Sequence, residues 1–315
     1  MLEVRLYHSE NAEEWNTFVA QSKNATFLMD RHYMDYHAHR FADFSLMVYT
    51  EKGGLLALLP ANRVDDCLFS HGGLTYGGLV MGDDMTAQKA KQVFESLNAF
   101  LAGSGISRVK YKPTPHIYHR RPAEEDLYAI VQCCHARLLY REIASVVAME
   151  EPLPRWSQLR IRGMKKADKQ GVRIVESNDY ETFWNILSDN LLQKHGTHPV
   201  HSLAEIRLLA ERFPRNIRLF AAMQESEMLA GTVIYECGSG VAHSQYISAS
   251  PHGKQIGALD KLFHSLFTEV YPHVRHFDFG ISTEQHGEWL NENLIHQKEG
   301  FGARAVCYDT YEWTL

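Results

Sequence analysis

Five cysteines in 315 residues (Cys67, Cys133, Cys134, Cys237 and Cys307) are odd in number and show no C-x-x-C spacing. That pattern excludes a disulfide framework and a zinc ribbon as the basis of the fold. A reducing, cytoplasmic setting is the expected home. Long apolar runs are missing as well. None approaches the ~20 residues that a membrane span needs, so no span is expected. The opening MLEVRLYHSENAEEW lacks a basic stretch followed by an apolar one, so no signal peptide is expected. An excess of positive charge is absent too. With 32 basic and 38 acidic residues the formal net charge is −6, which gives bulk electrostatics no hold on DNA or an anionic membrane. A Walker loop is excluded because Gly253-Lys254-Gln255 has neither the correctly spaced upstream glycine nor a Ser or Thr after the lysine.

What is present describes a soluble globular chain of two domains. Hydrophobic residues make up 45% and charged residues 22%, and the length suits two units of ~150 residues each. In the first half, periodicity predicts a strand over 3–8, a helix over 11–21 and a hairpin over 45–63 turning at Glu51 to Gly54. The glycine-rich FSHGGLTYGGLVMGDD follows, then a helix over 86–102, a strand over 107–111, a helix over 124–134 and a strand over 144–149. Two prolines in EEPLPRW (150–156) break any regular element, which places the domain boundary at 150/151.

The second half predicts a basic helix (155–170), the strand VRIVE, a helix led by Tyr180, Phe183, Trp184 and Leu187, and a helix over 202–213. The strands IRLFAAM, MLAGTVIYEC and VAHSQYIS come next, then a turn and helix from Pro251, the strand RHFDFG, a helix over 286–299 and a strand pair across ARAVCYDTYEW. After the basic helix the order is β-α-α-β-β-β-α-β-α-β-β. That order resembles the GNAT acyltransferase fold, an α/β mixed sheet in which the strand before the crossover helix splays from the strand after it.

The wording agrees with the order. RIRGMKKADKQGV (160–172), FDFGIST (277–283) and LNENLIHQKEGFGAR (290–304) resemble the FemAB-like branch, in which two GNAT domains lie in tandem. Lys298, Phe301 and Gly302 fall on that branch's K-x-x-F-G-like signature. TYGGL (75–79) resembles its counterpart in the first domain and puts Tyr76 among the acceptor candidates. The branch's aminoacyl-tRNA ligases commonly carry a long helical insertion, where residues 179–213 here offer two ordinary helices. The resemblance implies an N-acyltransferase with no permanently bound cofactor, using acyl-coenzyme A as co-substrate. Its acceptor would be a small molecule or a cell-envelope precursor with a sugar or peptide amine. The alternatives are an aminoacyl-tRNA-dependent ligase and a non-catalytic binding module on the same fold.

The candidate site residues follow from local chemistry. A strand that opens into a helix through Gly253 and Gly257 either cradles the donor's phosphates on backbone N–H groups or is a plain turn. The candidates there are Ser248, Gly253, Lys254, Gln255, Ile256, Gly257 and Ala258, with Leu259 standing where a small residue is usual. Asp278 lies between Phe277 and Phe279, where apolar surroundings would raise a carboxyl towards the range of a general base. It acts either in that way or as a structural acid pairing with Lys298 or capping Gly280. His243 is the other candidate base, and alternation sets His243 and Gln245 on one face of their strand against Ser244 and Tyr246 on the other. Lys298 either holds an anion or tethers Asp278. Acceptor contacts are expected from Gln245, Tyr246, Lys194, His195 and His198. The run KHGTHPVH reads as a loop lining the acceptor cleft, and no metal is assigned to it. Seven Lys or Arg residues from Arg155 to Arg173 against one acid, Asp168, either attract a polyanion such as tRNA or form a solvated helix face.

Overall fold

Residues 2–150 and 152–315 are described by a computed structural model, in which the chain divides into two compact units, 1–142 with 307–315, and 143–306. The first unit holds β1 (Glu3–Leu6), α1 (Ala12–Gln21), α2 (Arg31–Met34), β2 (Leu46–Tyr49), β3 (Leu55–Leu59), β4 (Asn62–Val64), β5 (Cys67–Phe69), β6 (Val80–Met81), α3 (Ala87–Gly103), β7 (Arg108–Tyr111), α4 (Glu125–Cys134) and the start of β8 (Arg137–Ala148). The second holds α5 (Gln158–Lys169), β9 (Arg173–Ser177), α6 (Tyr180–His195), α7 (Leu203–Arg212), β10 (Ile217–Gln224), β11 (Glu227–Glu236), β12 (Val241–Ala249), α8 (Pro251–Ile256), α9 (Ala258–Ser265), β13 (His276–Ile281), β14 (Thr283–Glu284), β15 (Trp289–Leu290), α10 (Glu292–Glu299) and the start of β16 (Arg304–Thr314).

Two strands therefore cross the boundary, which differs from the one expected at 150/151. The expected strand pair across 303–313 is a single strand, β16, whose later part pairs antiparallel with β7 of the first unit, Tyr311 against Tyr111 and Trp313 against Val109. Asp309 and Thr310 suggest a turn by composition, yet Asp309 accepts both ends of the Arg141 guanidinium at 2.6 and 2.8 Å, and Thr310 is buried. Those contacts satisfy the polar groups inside a strand and remove the reason to turn.

In the first unit β1-β2-β3-β6 form an antiparallel sheet, and a second run of strands is ordered β4-β5-β7-β16-β8. Phe94, Leu97, Tyr111, Ala129, Ile130 and Trp313 pack between the helices and the strands. Tyr76 belongs to this interior. It is 2% exposed, packs on Tyr118 with tilted rings at 4.6 Å and bonds Thr26 Oγ1 at 3.3 Å, so the expectation that it touches an acceptor is corrected to a core role. An aromatic ring buried against another aromatic gains more from area than a lone hydroxyl asks for in solvation.

In the second unit the strands run β8-β13-β12-β11-β10-β9. All neighbours are antiparallel except β12 and β13. α9 covers one face, with Phe263, Phe267, Phe277, Phe279 and Phe301 forming an aromatic core beneath it. Burying each such ring stabilises by roughly 1.5–3 kcal/mol, which fixes the level of β13 against α9. α6 covers the other face, where the Phe183 ring lies close enough to Gly231 that a Cβ there would sit 2.6 Å from it. The helix expected over 286–299 is shorter. It starts at Glu292 under an Asn291 cap, and the small β14–β15 hairpin precedes it, because Gly287 takes a positive φ of 90° and breaks the helical path.

Candidate active site

β12 and β13 run parallel, but they hold each other over three residue pairs only, the last being His243 with Asp278. β12 continues to Ala249, while β13 stays on β8, pairing Ile281 with Ala144. Beyond His243 and Asp278 the strands therefore part. The wedge between them holds a cavity of about 360 Å³, walled by α6, α9 and α10 side chains, with Ile247, Ser248 and Ala249 along β12 and Phe279 on β13.

At the vertex, His243 Nδ1 lies 3.0 Å from Asp278 Oδ2, and the other carboxylate oxygen accepts the Gly280 N–H at 2.7 Å. Asp278 is 0% exposed. Gly280 carries φ +71°, and a Cβ on it would stand 3.2 Å from His243 Cε1, so backbone freedom and ring clearance both call for glycine. Of the contacts expected of Asp278 the Gly280 cap is present, and the carboxylate also meets His243. Lys298 hydrogen-bonds the Gly280 and Ile281 carbonyls and feels the Asp278 charge.

A bulge reshapes the face of β12. Ser244 pairs with Ile234 and Tyr246 with Val233, which leaves Gln245 as an extra residue without a partner in the register. The expected alternation is corrected by it. Ala242 and Ala249 point into the α9 core, whereas Tyr246 packs on Trp184 of α6 at 5.0 Å and Ser248 Oγ meets Asn190 of α6 at 2.8 Å. His243, before the bulge, and Tyr246 and Ser248, after it, therefore share the α6 face. One inserted residue has restored the parity that simple counting denies.

Lys298 enters the cavity from α10, 4% exposed, and donates to the carbonyls of Gly280 at 2.9 Å and Ile281 at 2.6 Å. Burial pulls its ammonium down to about 8, against the partial opposition of the Asp278 charge. Two of its three N–H donors are occupied by those carbonyls, and none of the described residues takes the third. Lys194 and Lys254 stand exposed at the rim, from α6 and α8. Lys254 bonds Asn190 Oδ1, and its pKa is lowered by partial burial and by the neighbouring Lys194 charge.

Of the two readings for Gly253 to Ala258, a backbone cradle and a plain turn, the local hydrogen bonds favour the turn. Ser250 caps α8 and accepts the Gly253 N–H, the Gly257 N–H goes to the Gly253 carbonyl, and Lys261 N–H goes to the Gly257 carbonyl. A Cβ on Gly253 would lie 2.2 Å from the Leu229 carbonyl, and one on Gly257 would lie 2.5 Å from the Gly163 carbonyl of α5. Both glycines thus serve close packing against protein. Gln255 offers its carbonyl to Lys166, Ile256 is buried in the core and Ala258 is 0% exposed. Of the seven donor-binding candidates, Ser248 and Lys254 line the cavity. Because Gly257 has φ +82° and meets backbone, Gly257→Ala is expected to cost about 3 kcal/mol, combining left-handed strain with overpacking. Urea unfolding followed by circular dichroism measures it; a loss below ~1 kcal/mol would mean that α5 yields at that contact.

Among the acceptor candidates, Lys194 lines the cavity, while His198 is exposed in the loop past α6 and lies away from its walls. The His195 side chain falls outside the described residues. The buried histidine of the same run is His201. It is 5% exposed, and its Nδ1 lies 2.5 Å from the Tyr246 hydroxyl, which fixes Tyr246. Sequence reasoning also missed Asn190, whose amide ties α6 to Ser248 and to the Ala249 carbonyl. A polar residue three places after Leu187, on the buried stripe of α6, was the available signal. In the basic run, Arg160 pairs with Asp260 at 2.7 Å and Lys166 caps Gln255, whereas Arg155, Arg162, Lys165 and Lys169 face solvent.

No family model matches the chain, and no curated protein matches it. Solved structures do. A crystal structure of FemX is similar with a TM-score of 0.68 at 10% identity, over 99% of this chain and 97% of that one. L-PGS from Bacillus licheniformis is similar with a TM-score of 0.60 at 13% identity, over 97% and 91%. A tandem GNAT protein from the clavulanic acid biosynthesis pathway is similar with a TM-score of 0.52 at 10% identity, over 100% and 98%. The chain therefore has the mixed α/β, tandem GNAT and FemAB-like fold over its whole length. No described helix is long and apolar enough to cross a membrane.

Proposed function

We propose that the protein is an N-acyltransferase that moves an acyl group from an activated donor, acyl-coenzyme A, to an amine of a sugar, peptide or cell-envelope precursor. The observation that carries this reading is the wedge where β12 leaves β13, with a bulge at Gln245 on one side and the His243–Asp278 pair at its vertex. The donor's arm lies in the wedge, and Lys194 and Lys254 at the rim hold its phosphates in place of a backbone cradle.

With Asp278 accepting from Nδ1, the neutral His243 ring presents Nε2 as its basic nitrogen. The acceptor amine attacks the acyl carbon, and His243 takes the amine proton as the tetrahedral oxyanion forms. The backbone at the bulge and the remaining Lys298 donor face the developing negative charge. Collapse breaks the carbon–sulfur bond, and the departing thiolate takes the proton back from His243.

Calorimetric titration with coenzyme A, acetyl-coenzyme A and charged tRNA tests the proposal. Saturable binding of the thioester is expected, weakened about tenfold or more in the Lys194→Ala, Lys254→Ala double variant. Binding of tRNA alone would replace the reading with an aminoacyl-tRNA-dependent ligase. Silence towards both would leave a binding module on an acyltransferase fold.

A further inference from the structure

We propose that the acyl group admitted to the β12–β13 wedge carries no free ammonium, so that aminoacyl donors are rejected at this site. The inference rests on the donor reading above, and it concerns what the wedge does to charge.

The cavity walls are apolar along most of their length, with Leu187, Leu191, Leu259, Phe263 and Phe301 among them. Leu259, the residue that departs from the small side chain usual after a donor loop, is one of these walls. The charged side chains lining the cavity are Lys194, Lys254 and Lys298, one from each of α6, α8 and α10, and none of the lining residues is an acid.

An ammonium brings three N–H donors and needs acceptors. Two of the polar side chains on the walls, Asn190 and Ser248, are already engaged, and the third, Gln297, is neutral. Asn190 donates to Ser248 Oγ and the Ala249 carbonyl and accepts from Lys254, while Ser248 Oγ donates to the Ile186 carbonyl at 3.3 Å. The Gly280 and Ile281 carbonyls are taken by Lys298. Asp278 is the carboxylate whose field reaches Lys298, but it is fully buried between His243 and the Gly280 N–H. A second cation in the wedge therefore meets three like charges and no lining carboxylate. At ~6 Å and an effective dielectric constant of ~20 the repulsion from one lysine is ~2.8 kcal/mol, or about 100-fold in affinity.

An isosteric pair separates the charge from the shape. Lactyl and alanyl groups, each carried as a coenzyme A thioester and as a tRNA ester, are titrated against the full chain at pH 6.5, where an α-amine is protonated. The lactyl form is expected to bind about 100-fold more tightly than the alanyl form on whichever carrier binds. In Lys298→Met the gap is expected to narrow by about tenfold or more. Discrimination seen on tRNA alone upholds the inference and removes the thioester reading. Thioesters that bind equally with either group uphold that reading and overturn the inference. Failure of both carriers overturns both.

Discussion

Asp278→Asn is expected to lower the rate of acyl transfer about 10³-fold while the protein stays folded. The reason lies in the direction of one hydrogen bond. Asp278 Oδ2 stands 3.0 Å from His243 Nδ1, so the carboxylate keeps that nitrogen protonated and makes Nε2 the base. In the variant, an amide rotated to keep the Gly280 N–H satisfied through its oxygen turns its NH₂ towards the ring. Nδ1 must then accept, the proton moves to Nε2, and the nitrogen that should receive the amine proton already holds one. General-base catalysis contributes ~10²–10⁴-fold, and a wrong tautomer forfeits most of it. In the proposed mechanism Asp278 acts through His243 and is a positioning residue, whereas His243 meets the reacting amine. The two are distinguished by pH. In Asp278→Asn the residual rate should lose the histidine limb of its pH profile, and His243→Gln should match its rate without adding a further loss. A variant that transfers at the wild-type rate with an unchanged profile would place the base elsewhere.

The sequence carried the element order of the second unit well because each piece obeys a local rule: alternation in Val241–Ala249, a Ser–Pro start at Ser250 and an apolar stripe in α9. It carried the close-range partners poorly. Glycine at 253 and 257 satisfies two demands that look alike in one dimension, room for a phosphate and room for a neighbouring helix. The carbonyls of Leu229 and Gly163, which crowd Gly253 and Gly257 in turn, weigh for the second, close packing against protein. Likewise, the bulge at Gln245 has no compositional mark, yet it decides which residues share a face with His243. Lys298 was legible as a candidate because it sits in a signature. Its partners were not, since two backbone carbonyls leave no trace in a sequence. The return of β16 to the first unit was hidden for the same reason: strand pairing across some two hundred residues is written in shape rather than in periodicity.

Lys298→Met is expected to remove transfer activity by about 10²–10³-fold while changing stability at pH 7 by no more than ~3 kcal/mol. Two opposing effects set the second figure. The variant leaves the Gly280 and Ile281 carbonyls without their donor, at ~1–3 kcal/mol each. It also relieves the native state of a buried ammonium, whose pKa falls from the ordinary 10.5 to about 8. At 1.36 kcal/mol for each pH unit of that interval, the protonated lysine destabilises the native state by ~3 kcal/mol at pH 7. The same linkage gives a signature that loss of packing cannot imitate. Between about 8 and 10.5 the unfolded chain holds its lysine proton more firmly than the native state does, so wild-type stability rises with pH across that window. The contribution is full above 10.5 and is lost as pH falls through about 8. The difference in unfolding free energy between wild type and Lys298→Met should therefore shift in favour of wild type by ~3 kcal/mol from pH 7 to 10.5, since every other titrating group cancels in the comparison. A flat difference would mean that the ammonium is solvated. An ammonium already surrounded by water would have little to offer an oxyanion, and the chemistry assigned to the wedge would then have to rest on His243 and the bulge alone.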